Sequence, residues 1–401
     1  MLFSNASANS SAALIAQANQ KTANQKTARH SALQLALGVS LVSLGTLAAT
    51  LFSGVAPLAA VAVAPTNQTF QQATGGLLPG NADAELAGEV ANQGVQAFTR
   101  GDTETAFEHW QRALLLYRTA GDRAGEGRML ENLSVIHRLN NRPNDAILMS
   151  EQALALYQEL GTQNEQPSLY LNLGSAYRLA NQTEGAIAAY EQGLAIYRRD
   201  NDRTGERIML SLLAQVHTDS GNYPESIALN QEALTLARRM ANRKAEAEAL
   251  SELGFAHIMT EQNTEALTYY QPALTLYRQL NDRAQEVATL NNLGRAASLS
   301  GDYDQALSAY QQALVIFREM NRPSQEAQVL VNIGQAYVGK GNITAAIGAF
   351  QQVVELTETM RRQESEATYL PPRMEAAYRN LATLLQQQSR DEEARQVLSL
   401  I

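Results

Sequence analysis

The chain contains no cysteine in its 401 residues. Disulfides, thiolate zinc sites, iron–sulfur clusters and cysteine nucleophiles are therefore excluded together. Lysine is nearly missing as well. Past residue 30 it occurs only as Lys244 and Lys340, so arginine carries the positive charge. Acidic residues are missing from residues 1–80, which hold only Lys21, Lys26 and Arg29 as charged groups. The chain as a whole is at −9, so residues 81–401 carry −12. A body that acidic is a poor general binder of nucleic acid or of an anionic membrane.

The most uneven stretch is the N-terminus. Residues 1–30 are polar and end in the three basic residues, and residues 31–82 have no charge. An apolar run starts at Leu33 and continues to Ala64 through "VAPLAAVAVA". Basic, then apolar, then small-x-small is the order of a secretory signal, with Ala60-Val61-Ala62 and Ala62-Val63-Ala64 as cleavage sites. The run is also long enough to stay in a bilayer as an anchor. Residues 1–64 are thus expected to be a signal peptide or membrane anchor. Either way the rest of the chain is exported, periplasmic or secreted in one case and membrane-anchored in the other. Residues 65–82 read as a flexible linker.

From Asn81 onward the sequence repeats every 40 residues, with units starting at 81, 121, 161, 201, 241, 281 and 321. An eighth, truncated unit (361–401) is offset by an 8-residue insertion around Pro371-Pro372. Each unit predicts two helices. The first has an apolar stripe at repeat positions 10, 13 and 17, as in Tyr170, Leu173 and Tyr177. The second has one at 27, 30, 34 and 37, as in Leu307, Tyr310, Leu314 and Phe317. Gly or Asn at the turns suits the left-handed end of a helix, and the Asp of "GDR" or "NDR" suits the cap of the next. Position 14 is always small (Gly94, Ser134, Gly174, Ala214, Gly254, Gly294, Gly334, Ala382), as is position 26 (Ala106 to Ala394). Closely crossing helices need small side chains at the contact, so both positions are packing positions. No strand signal precedes Gly294 in "LNNLGRA", which excludes a phosphate loop there.

This pattern closely resembles the tetratricopeptide repeat family. The matching features are the small residue at position 14, the aromatic or His at 17, the Ala at 26, the aromatic at 30 and the Ala at 33. The 40-residue unit is similar to the repeats of kinesin light chains and of many bacterial, notably cyanobacterial, tetratricopeptide proteins. The resemblance implies an all-α, right-handed superhelical solenoid of antiparallel helix pairs over residues 83–401. It also implies a non-catalytic scaffold for protein–protein interaction.

No chemistry competes with that expectation. His137, His217 and His257 all fall at position 17, one per unit, where other units have tyrosine. They read as core aromatics. No metal spacing, nucleophile elbow or phosphate loop appears, and neither a metal nor a cofactor is expected.

Solenoids of paired helices leave a concave face lined by the first helices. The stripe at positions 8, 12, 15 and 19 should face it. Position 12 is Asn92, Asn132, Asn172, Leu212, Glu252, Asn292, Asn332 and Asn380. An amide offers donors and an acceptor, so a row of asparagines can pair with the backbone of an extended peptide. The row resembles the asparagine ladder of O-linked N-acetylglucosamine transferase and the groove asparagines of kinesin light chains. The other reading is that each Asn bridges neighbouring helices. Arg128, Arg138, Arg178, Arg295 and Arg379 join this face. In an acidic body they point to an acidic or carboxylate-bearing protein or peptide partner, or to inter-repeat salt bridges. A second function is a regulatory or sensor subunit whose solenoid responds to a small ligand. Units four and five break the pattern with Leu212, Glu252, Asn230, Ala237 and the mid-helix Pro272. Residues 201–280 are a hinge, a change of groove chemistry, or drift.

Overall fold

A computed structural model describes residues 82–162, 166–363 and 371–401. The predicted targeting segment, and all but the last residue of the predicted linker, lie outside them. The described residues form helices, with no strand among them. They divide into two compact units, one ending at Leu280 and one resuming at Asn281.

In the first unit the repeats give five helix pairs: α1 (Ala82–Thr99) with α2 (Thr103–Ala120), α3 (Arg123–Leu139) with α4 (Pro143–Glu159), α5 (Pro167–Leu179) with α6 (Thr183–Arg199), α7 (Arg203–Asp219) with α8 (Tyr223–Arg239), and α9 (Arg243–Met259) with α10 (Asn263–Gln279). In the second unit α11 (Arg283–Ser300) pairs with α12 (Tyr303–Glu319), α13 (Pro323–Lys340) with α14 (Ile343–Gln363), and α15 (Pro372–Gln387) with α16 (Asp391–Leu398). Each pair packs on the next within its unit, and first helices also meet one another: α3 with α5, α11 with α13, α13 with α15. The expected all-α solenoid of helix pairs is what each unit contains.

The turns follow from their sequences. Gly121 takes φ +73° and Gly301 φ +86°, the left-handed geometry that closes a helix C-terminus. Asn141, Asn181, Asn201, Asn281 and Asn321 do the same. Where the next residue is aspartate it caps the following helix: Asp122 Oδ1 accepts from Gly125 N at 2.8 Å and Asp202 Oδ1 from Gly205 N at 3.0 Å. Pro143 opens α4 at its first turn. Pro272 lies inside α10, and that helix runs unbroken from Asn263 to Gln279.

The core is set by position 14 against position 30 of the same pair. A Cβ built on Gly94 would lie 2.4 Å from Trp110, on Gly174 2.5 Å from Tyr190, and on Gly254 2.8 Å from Tyr270. Gly334 meets Phe350 in the same way. The aromatic ring fills the space a side chain would need. Where position 14 does carry a Cβ, at Ser134, Ala214 and Ala382, position 30 is Ser150, Asn230 and Leu398, none of them aromatic. Asn230 is therefore the consistent partner of Ala214. It is buried and donates to Ser226 Oγ at 3.4 Å, which itself bonds Thr218 Oγ1 at 2.6 Å.

Successive pairs are joined by an arginine clasp that the helical periodicity does not reveal. The carboxylate of Glu206, buried at the start of α7, accepts from Arg198 at 3.0 Å and Arg203 at 2.9 Å. Glu126 is held by Arg118 and Arg123, and Glu246 by Arg238 and Arg243. In the second unit Arg318 holds Glu326 at 2.7 Å. Between α4 and α5 the corresponding positions are Gln158 and Gln166.

Candidate binding face

In each unit the first helices carry the asparagine row, but its members have unequal surroundings. Asn92 on α1 is exposed, while Asn132 on α3 and Asn172 on α5 are buried. Asn172 is only 4% exposed, and its Oδ1 has no hydrogen-bond partner among the described residues. A buried acceptor without a donor is uncommon and costs stability unless something fills it. Leu212 is buried and Glu252 is half-buried in the same row. Burial pushes the Glu252 carboxyl up to about 7, and the nearby carboxylates of Asp219 and Glu248 add to the effect.

In the second unit Asn292, Asn332 and Asn380 are half-buried. Here an amide bridges helices, the second of the two sequence readings. Asn332 Nδ2 donates to Asn291 Oδ1 at 3.0 Å, and Asn332 Oδ1 accepts from Arg373. The bridge is built with Asn291, the neighbour of the row residue Asn292. Arg373 comes from α15, beyond the insertion that shifts the last unit out of register, so the 40-residue alignment hides it. Each link spans 41 residues. The same spacing joins Arg178 Nη1 to Asp219 Oδ2 at 2.9 Å in the first unit. A search of the sequence for complementary polar residues one repeat plus one apart would have found all three.

The arginines divide likewise. Arg128 is half-buried, with its guanidinium 5.9 Å from the Tyr117 ring centre. Arg138 is buried, and burial lowers its pKa, with the Tyr190 hydroxyl opposing. Arg178 bonds Asp219 directly at 2.9 Å, and the pair lines an open cleft with Asn181, Thr183 and Val216. Arg295 is half-buried, whereas Arg379 is exposed and pairs with Glu375 on its own helix. A further pair on this face is Ser168, whose hydroxyl donates to Glu131 Oε1 at 2.6 Å between α5 and α3.

The histidines sit in separate pairs. His137 meets the Phe107 ring edge-on at 5.4 Å, and His257 stacks on Tyr269 at 5.0 Å. His257 Nδ1 lies 2.6 Å from Gln262 Oε1. No group of three potential metal ligands occurs among the described residues. No described helix is long and apolar enough to cross a membrane.

A family model described as Tetratricopeptide repeat matches residues 86–159, 165–239 and 245–319. A second model of the same description matches 291–360 and 331–401. The chain belongs to the tetratricopeptide repeat family. Tetratricopeptide arrays are scaffolds that present surfaces, and no catalytic family matches this one. No curated protein matches the sequence. Solved structures share the fold at low identity. The Signal Transduction ATPase with Numerous Domains protein with a tetratricopeptide repeat sensor from Pyrococcus horikoshii has a TM-score of 0.57 at 16% identity. That match covers 79% of this chain and 46% of the ATPase, so the chain spans under half of that protein. The apo form of the quorum sensor NprR from B. thuringiensis gives 0.54 at 14% identity, covering 83% of this chain and 92% of NprR. Apo RapI gives 0.51 at 12%, covering 69% and 99%.

Proposed function

We propose that this tetratricopeptide protein is an interaction scaffold that holds an extended protein or peptide segment along the first helices of its repeats. The observation that carries the reading is Asn172. Its carbonyl is buried on the row without a donor among the described residues, and a backbone N–H of a bound segment would supply one once the covering side chains move aside. The arginines beside it on α3 and α5 suit an acidic segment, and the acidic remainder of the surface disfavours nucleic acid. The working surface lies in the first unit. In the second, Asn332 already spends both ends of its amide on Asn291 and Arg373.

The test is partner capture with residues 65–401 as bait, followed by mass spectrometry, then the same capture with Asn132→Ala, Asn172→Ala and Arg178→Ala combined. The variant loses the partner while keeping its helical circular dichroism. Capture unchanged by the triple substitution refutes the reading.

A second reading is a sensor whose array responds to a small ligand. It is favoured by the names of two structural neighbours, a tetratricopeptide repeat sensor and a quorum sensor. A change of scattering radius on adding a small ligand, with no protein present, supports it.

We also place the repeat domain outside the cytoplasm, on the basic-then-apolar order of residues 1–64. Recovery of the domain in the cytosolic fraction refutes that placement.

A further inference from the structure

The face described above contains one site where the protein already binds a carboxylate of its own. Asp219, the last residue of α7, reaches back one repeat and accepts from Arg178 on α5 at 2.9 Å. Arg178 is only 18% exposed in its side chain, while Asp219 is 53% exposed. The guanidinium is thus part of the wall, and the carboxylate is the accessible partner. The repeat that carries Arg178 also holds a buried polar pair. Ser175 Oγ and the Tyr190 hydroxyl lie 3.0 Å apart, both buried, and Ser175 also bonds Leu171 O at 2.8 Å. Burial raises the Tyr190 hydroxyl pKa, and the charges of Arg178 and Arg138, from successive first helices, oppose that rise. Arginine at position 18 occurs only in these two units. The others have Phe98, Thr218, Ile258, Ser298, Val338 and Gln386.

Asp219 is poorly placed to be a permanent partner. It is mostly in solvent, where an ion pair contributes little. Glu252 is in electrostatic range of it, and the two carboxylates repel when both are ionised. The bonded pair of Arg178 and Asp219 lines an open cleft together with Asn181, Thr183 and Val216.

We infer that Arg178, backed by Arg138 and Tyr190, is a seat for a carboxylate on the bound segment, and that Asp219 is a built-in competitor displaced when that carboxylate arrives. The inference rests on the reading of this face as a partner-binding surface. It adds the chemistry of one side chain in the segment, an Asp or Glu. It also adds a consequence: binding opens the α5–α7 bridge. Removing the competitor strengthens binding, the opposite of what loss of a structural salt bridge does.

The experiment measures fluorescence anisotropy of labelled hexaglutamate and hexaglutamine peptides on the full 401-residue chain. Asp219→Asn binds hexaglutamate roughly two- to fivefold more tightly than the parent, the range expected when one competing exposed ion pair is removed. Hexaglutamine binding does not change. Adding Arg178→Gln to Asp219→Asn abolishes the gain, and thermal melting shows both variants folded. Equal affinity in parent and Asp219→Asn overturns the seat, as does a gain that survives Arg178→Gln. A third peptide carries one phosphoserine in a hexaglutamine background; a gain confined to it overturns the carboxylate assignment. The seat and the face fail separately. Partner capture that depends on Asn132 and Asn172, with no effect of Asp219→Asn on hexaglutamate, overturns the seat alone. A hexaglutamate gain, with capture indifferent to both asparagines, leaves the seat standing without the face.

Discussion

Gly294 and Tyr310 occupy one space: a Cβ on the glycine would lie 2.6 Å from Cε1 of the ring. The relation explains why a helix interior tolerates glycine in most of the repeats, although alanine is the better helix former by about 1 kcal/mol. Gly294→Ala therefore destabilises the array by about 2 kcal/mol, since overpacking outweighs the propensity gain. In a background of Tyr310→Asn, imitating the natural Ala214 and Asn230 pair, the same change costs much less. Urea unfolding followed at 222 nm, run as a double-mutant cycle, should give a coupling of at least ~1 kcal/mol. Additive single effects would mean that the ring does not set the residue at position 14.

The clasp at Glu206 predicts a pH dependence. Burial alone would raise this carboxyl, but hydrogen bonds from Arg198 and Arg203 outweigh it and hold its pKa below the ordinary 4.5. A depressed folded value stabilises the folded state fully above the unfolded value, and the contribution disappears as pH falls through the depressed one. Glu206→Gln thus costs about 1–2 kcal/mol at pH 7, discounted because both arginines are about half exposed. The difference from the parent shrinks steadily below about pH 4.5. Urea midpoints of both proteins at pH 7 and pH 3.5 decide the point. A constant gap would mean the clasp is packing rather than charge.

Much of this was legible in the sequence because it repeats. Eight readings of position 14 identify a packing residue where one glycine in "LNNLGRA" is ambiguous, and the Gly and Asn turns took the left-handed geometry their residue types favour. The cross-links were harder to read. Asn332 with Asn291, and Arg178 with Asp219, join residues 41 apart, so they depend on how one first helix is offset along the next. Periodicity within a helix carries no information on that offset. For the same reason the row of asparagines looked uniform, whereas Asn172 is buried, Asn92 is exposed and Asn332 is fully engaged.

The fifth pair carries two turn residues that the others avoid. Ala241 at φ +53° and Glu261 at φ +61° flank α9 in left-handed conformations. For a side chain with a Cβ that conformation costs roughly 1–2 kcal/mol, part of which is regained as lower unfolded-chain entropy when glycine is absent. Ala241→Gly and Glu261→Gly should each stabilise the protein by about 0.5–1 kcal/mol. Thermal melting tests this directly, with Asn281→Gly as the control in which little changes. Destabilisation by either glycine would show that α9 depends on these side chains for something other than the turn.

Glu252 is the residue that interrupts the asparagine row, and its environment opposes its charge. Burial first, then Asp219 and Glu248, push its carboxyl up to about 7. Arg207 lies in range of Glu248 and offsets part of that field. An acid whose folded pKa lies above its unfolded value takes up a proton on folding between the two. Stability therefore falls as pH rises from about 4.5 to 7, and stays lower above that. Glutamine mimics the protonated form at every pH. Glu252→Gln should accordingly stabilise the protein by about 1–2 kcal/mol at pH 8, less than the full shift because the side chain is half-buried. The advantage should vanish near pH 4.5. Asp219→Asn removes one of the two facing carboxylates and should narrow the gap at pH 8. Denaturant melts of the four proteins across this range test both statements. A Glu252→Gln effect independent of pH would remove the charge argument and leave the residue as a packing substitution in the row.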